Sequence, residues 1–265
     1  EPTTVFLGGY SLVADQDDYF FTDRVSTSGS PRIGLFYGTR VVNGQLELEG
    51  GWHLLSLHVI FDQGILSPDN VGRGAYGGVS ITAGDPGTQR TISGTGFQGA
   101  SNQASAALTF GGAAQNLLDA QNTGTGELNL TLDYQLNGQA VDARIVEAAG
   151  NDNVIFGVDE NTGDGEAGFV TLFRKFDAPS SPADPALVPG TFLVGGHTLF
   201  LNPSNSGSDT FVGTVTLSPQ GAFRLDATGN TGADFSYIGT YTLAGDGGLT
   251  IDIEGTNEDW FAAID

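Results

Sequence analysis

The chain has 265 residues, with neither Cys nor Met; a chain of this size buries roughly 70 % of its unfolded surface, so it needs no disulfide or metal to fold. Its 31 acidic and 9 basic residues give a formal net charge of −22, a field that repels nucleic acid and anionic lipid headgroups and excludes both as partners. Gly, Asp, Asn or Ser interrupts every apolar run well short of the roughly eighteen residues a transmembrane helix requires.

From the first residues onward the chain reads as strands. Val5 to Val13, Arg32 to Val42, Gln45 to Glu49, Trp52 to Phe61, Tyr76 to Thr82, Arg90 to Phe97 and Ala104 to Phe110 carry β-branched or aromatic residues bounded by Gly, Asn, Asp or Pro. Asn43-Gly44, between Val42 and Leu46, predicts a tight hairpin turn, because Asn and Gly both tolerate positive φ. One short peripheral helix is expected over Ala113 to Gln121, where Leu117 and Leu118 follow small residues and Asn122 with Gly124 would end it.

Further strands are predicted at Glu127 to Leu136, Ala140 to Glu147, Val154 to Val158 and Phe169 to Phe176. The clearest alternation sets Leu128, Leu130, Leu132, Tyr134 and Leu136 against Asn129, Thr131, Asp133 and Gln135, giving one dry face and one wet face. Asn137-Gly138 is the second hairpin signal, and residues 244–248 predict a longer turn of the same kind. The 41 glycines, about twice the usual share, are consistent with many turns between short strands.

The prolines at 179, 182, 185 and 189 cannot donate ladder hydrogen bonds and predict an extended connection. The expected organisation is a larger antiparallel β domain over 1–177, a Pro-rich linker over 178–190 and a smaller antiparallel β domain over 191–265. Phe6 to Val13 is echoed by Leu193 to Phe200, and the segment Tyr37 to Gly50 by Ile238 to Gly255, with Trp52 and Trp260 following. Duplication of a β unit would produce this echo, and so would chance similarity among glycine-rich hairpins. The fold class is therefore all-β: antiparallel sandwich or barrel units, in two β domains whose relation by duplication stays open.

The strongest candidate ligand set is Asp159, Asn161, Asp164 and Glu166 in a glycine-rich loop between two strands. Calcium takes six to eight oxygen ligands, and such a loop offers them at short spacing. It departs from the EF-hand pattern, with Asp164 where the sixth-position glycine belongs and Val170 where the twelfth-position carboxylate belongs. A solvated acidic hairpin tip is the competing reading. Asp15, Asp17 and Asp18 form a weaker acidic turn. Apart from calcium, no cofactor is expected.

Strand alternation puts His53 and His58 on opposite faces, which rules out a shared zinc site from one regular strand. His58 or His197 beside Ser and Asp lacks the Gly-x-Ser-x-Gly elbow of a nucleophile, so structural histidines are favoured and no catalytic residue is assigned. Glu47 and Glu49, two apart on one strand face, would stand about 7 Å apart, within reach of glycoside chemistry.

The absence of Met places Glu1 where a mature or trimmed polypeptide would start, which predicts a removed export signal and a location outside the cell, at its surface or in a periplasm. The leading functional expectation is a non-enzymatic accessory or assembly subunit that contacts other proteins or copies of itself, with its first twelve residues as a strand available for pairing. The alternatives are a β-barrel binding an apolar or carbohydrate ligand between Leu128, Leu130, Leu132, Tyr134 and Phe169, and a polysaccharide-active enzyme using Glu47, Glu49 or His58.

Overall fold

The computed structural model describes residues 4–14, 17–26, 32–39, 45–60, 71–85, 87–100, 103–118, 124–159, 166–175, 189–200, 207–229, 232–256 and 259–263. Those residues are all-β, in three antiparallel sheets. The first holds β1 (Thr4–Ala14), β2 (Asp17–Ser26) and β3 (Arg32–Thr39) in sequence order. The second is a closed barrel of β4 (Gly50–Ile60), β5 (Val71–Ile81), β6 (Arg90–Ala100), β7 (Gln103–Leu118), β8 (Gly124–Leu136), β9 (Gln139–Gly150), β10 (Val154–Asp159) and β11 (Glu166–Arg174). Each barrel strand pairs with the next, and β11 closes the ring by pairing Leu172 with Leu54 and Phe169 with Leu57.

The third sheet runs β12 (Gly190–Phe200), β13 (Gly207–Leu217), β14 (Ala222–Gly229), β15 (Asp234–Leu243), β16 (Gly248–Ile253) and β17 (Asp259–Ala263), again in order. The stretch through residue 177 thus holds two separate sheets. Only the end of the expected Pro-rich linker, at 189 and 190, falls within the described residues.

Side-chain alternation explains the barrel. Along β8, Leu128, Leu130, Leu132 and Tyr134 are buried, while Asn129, Thr131, Asp133 and Gln135 between them are exposed. This strand thus turns an apolar face to the barrel interior and a polar face outward. The interior is filled by Trp52, Phe110, Tyr134, Leu130 and their neighbours, with the largest of them under 2 % exposed. An eight-stranded barrel has an interior about wide enough for side chains to fill, and the wall is fitted to them. A Cβ on Gly77 or Gly96 would lie 2.6 or 2.8 Å from Cε2 of Phe110, so the missing methyls let β5 and β6 close onto that ring.

Asn137 and Gly138 link β8 to β9 with φ of 51° and 76°, the pair of positive values expected of a two-residue hairpin. The turn at 244–247 closes with Ala244 N–H donating to Gly248 and Gly247 N–H donating to Ala244. The other predicted hairpin differs. Residues 40–44 lie outside the described set, and Gln45–Glu49 is not a strand. Leu46 and Leu48 are buried in the barrel core, while side chains bind the segment's carbonyls: Asn116 donates to Leu46 at 3.0 Å, Trp52 Nε1 to Leu48 at 2.9 Å, and Arg174 to Glu47 and Glu49. Buried Leu46 and Leu48 alternate with exposed Glu47 and Glu49, but the segment plugs the barrel instead of extending a sheet.

The expected helix over Ala113 to Gln121 is also corrected. Residues 113–118 continue β7, with Ala113 paired to Thr131 and Ala114 to Leu130. Ala114 and Asn116 are buried on the inner face, so a period of two governs where small residues had suggested a helical turn. No helix occurs among the described residues.

The sequence echo falls first on β1 and β12, each the first strand of its sheet, but its second part falls on the third strand of one sheet and the fourth of the other. Trp52 lies in the barrel core and Trp260 at the edge of the six-stranded sheet. The echo therefore does not extend to strand order.

Candidate functional site

The strand β4 sorts its residues between two environments. Trp52, Leu54, Ser56 and His58 are buried inside the barrel, and His53 lies on the outer wall, as alternation requires. His58 meets the edge of Tyr134 at 6.2 Å, and Tyr134 meets Phe110 at 5.6 Å. The imidazole occupies the space a side chain at Gly168 would need. Ser56, His58, Tyr134 and Arg144 are among the polar side chains buried within the barrel, as is Asn116. Ser56 is 7 % exposed and His58 4 %.

The residues expected to line a ligand cavity divide in the same way. Leu128, Leu130, Leu132 and Tyr134 point inward but are packed in the core, while Phe169 is paired with Leu57 and Val158 on the outer face and is half-buried. Val170 and Leu172 take the inward places on β11. Glu47 and Glu49 do not share a strand face, since their segment is the plug described above.

Asp159 ends β10, paired with Val146, and Glu166 opens β11, paired with Ile60. Asn161 and Asp164 lie outside the described residues, as does Asp15, while Asp17 and Asp18 belong to β2, paired with Ala14 and Val13. His197 is in β12, paired with Thr210. Among the described residues no three His, Cys, Asp or Glu side chains converge as a metal site.

A junction that sequence reasoning missed joins the barrel to the six-stranded sheet. Lys175, the only lysine, donates to Asp246 at 2.7 Å, and His53 Nε2 lies 2.8 Å from the Asp246 carbonyl oxygen. Burial pushes the Asp246 carboxyl upward, but hydrogen bonds from Lys175 and the Gly248 N–H and the charges of His53 and Lys175 outweigh it, holding its pKa below the usual carboxylate value. Tyr76 on β5 stacks on Phe261 of β17, with ring centroids 3.5 Å apart. The lone lysine in so acidic a chain was the available signal, but its partner lies 71 residues away.

The six-stranded sheet has its own core, centred on Phe223, Leu225, Tyr241 and Ile251. Among the described residues, four large apolar side chains on this sheet are exposed: Phe192 (45 %), Val212, Tyr237 (39 %) and Ile238. Phe192 lies on β12, an edge strand of eleven residues bonded on one side to β13. No known protein family, curated protein or solved structure matches the chain. Its function is therefore read from this geometry alone.

Proposed function

We propose that the protein is an exported, non-enzymatic accessory or assembly subunit that contacts a second protein, or a second copy of itself, through its open six-stranded sheet. The observation that carries this reading is the long edge strand β12 with Phe192 exposed on it. An edge strand offers unpaired backbone groups to an incoming strand, and a nearby exposed aromatic supplies the buried anchor that such interfaces use. The closed barrel, by contrast, has no edge, and its filled interior favours a scaffold over a container. Calcium at Asp159, Asn161, Asp164 and Glu166 belongs to the same proposal as a stabiliser of the loop between β10 and β11.

Size-exclusion chromatography with light scattering, at the protein's native concentration, tests the reading. The expected result is a species heavier than the 27.4 kDa chain, or a co-purifying protein, that is lost in Phe192→Lys. A strict monomer with no partner overturns it.

A further inference from the structure

The outer wall of the barrel carries a groove of about 500 Å³ that none of the roles above uses. It runs over β5, β6 and β7 and ends at the Asn137-Gly138 turn. Its shape follows from the interior: because Gly77 and Gly96 admit the Phe110 ring, the wall closes inward there. The outward positions beside the dent are small, with Gly78, Thr95 and Thr109 aligned across three neighbouring strands.

One side of the groove is aromatic. Phe97 stacks on Tyr76 at 5.6 Å, and Phe261 holds the same tyrosine at 3.5 Å, so the two β units fix the platform together. Phe97 remains 45 % exposed. The rest of the lining is uncharged and includes the exposed residues Thr95, Thr109 and Asn137. Lys175, which lies beside Gly78, is engaged by Asp246.

We infer that this groove binds a neutral oligosaccharide. A sugar ring presents an apolar C–H face, which packs on an aromatic platform, and hydroxyls at its edge, which pair with short neutral donors and acceptors. The volume is within the range of small-molecule sites. The other ligand classes fit less well. Anions meet the field of a chain at −22, and cations find no carboxylate on the groove lining. A peptide cannot add as a strand, because the barrel is closed and its ladders are complete across β5, β6 and β7.

The intact chain titrated calorimetrically with cellohexaose, maltohexaose, xylohexaose and chitohexaose tests the inference. The expected result is saturable binding of at least one, weakened by about tenfold or more in Phe97→Ala and in Thr95→Val with Thr109→Val. Phe97→Trp, which keeps the platform, retains binding, and Phe192→Lys on the other sheet leaves the affinity unchanged. No binding of any of the four at millimolar concentration overturns the inference. So does parental affinity in a Phe97→Ala protein whose unfolding temperature matches the parent. Phe192→Lys separates this groove from the sheet edge, so the two readings fail independently.

Discussion

Lys175 and Asp246 stand 2.7 Å apart across the junction of the barrel and the six-stranded sheet, each about a quarter to a third exposed. The lysine stem lies over Gly51 and Gly78 of the barrel wall, which have no side chains to obstruct it. A surface ion pair contributes little, but this one adds the Gly248 N–H and His53 to the same aspartate. Lys175→Met should lower stability by about 0.5–1 kcal/mol, read from the denaturation midpoint at neutral pH.

The same pair sets an acid limit. A carboxylate whose folded-state pKa is depressed contributes stability that is fully present above its unfolded pKa, near 3.9, and lost as pH falls through the folded value. The Asp246 contribution should therefore be complete at pH 6 and decline below about pH 4. Denaturant unfolding at pH 6 and pH 3 should show a smaller acid loss in Asp246→Asn than in the parent.

Gly168→Ala should destabilise the barrel, since the new Cβ would overlap the buried His58 ring. Overpacking of this kind costs about 1–3 kcal/mol. His58→Ala should relieve part of that cost in the double variant, which a double-mutant cycle measures directly.

Asn137 occupies the left-handed region at φ 51°. Asn137→Gly should leave stability nearly unchanged, whereas Asn137→Val should cost about 1–2 kcal/mol, because a β-branched side chain is strained there. Thermal unfolding of the pair checks the contrast, and glycine at this site should also preserve the β8–β9 register.

The two tryptophans should separate by fluorescence. Trp52 is buried, bonded to Leu48 and covered by the Arg174 guanidinium 4.2 Å from its ring centroid, whereas Trp260 is only partly buried. Acrylamide should quench Trp260 in Trp52→Phe far more than Trp52 in Trp260→Phe. Trp52→Phe should also lower stability by about 1–3 kcal/mol, since it opens a cavity and removes the donor to a buried carbonyl.

Local rules made much of this protein legible from its sequence. A period of two and two adjacent residues able to take positive φ are properties of a few neighbouring residues, so the dry face of β8, the Asn137-Gly138 turn and the opposed His53 and His58 could be read directly. What lay beyond that reach was partner choice. Ala113–Leu118 became a strand because Thr131 and Leu130 were there to pair with it, and Gln45–Glu49 became a plug because Asn116, Trp52 and Arg174 met its carbonyls.

The sequence by itself determined an all-β chain, the dry and wet faces of β8 and the strong negative charge, because each follows from residue type and spacing. Only the tertiary structure decided that eight strands close into a filled barrel, that Lys175 meets Asp246, and that Phe97 faces a groove beside Thr95 and Thr109. Closure and register depend on how all eight strands tilt and stagger together, and that is a relation among distant segments which no local pattern encodes.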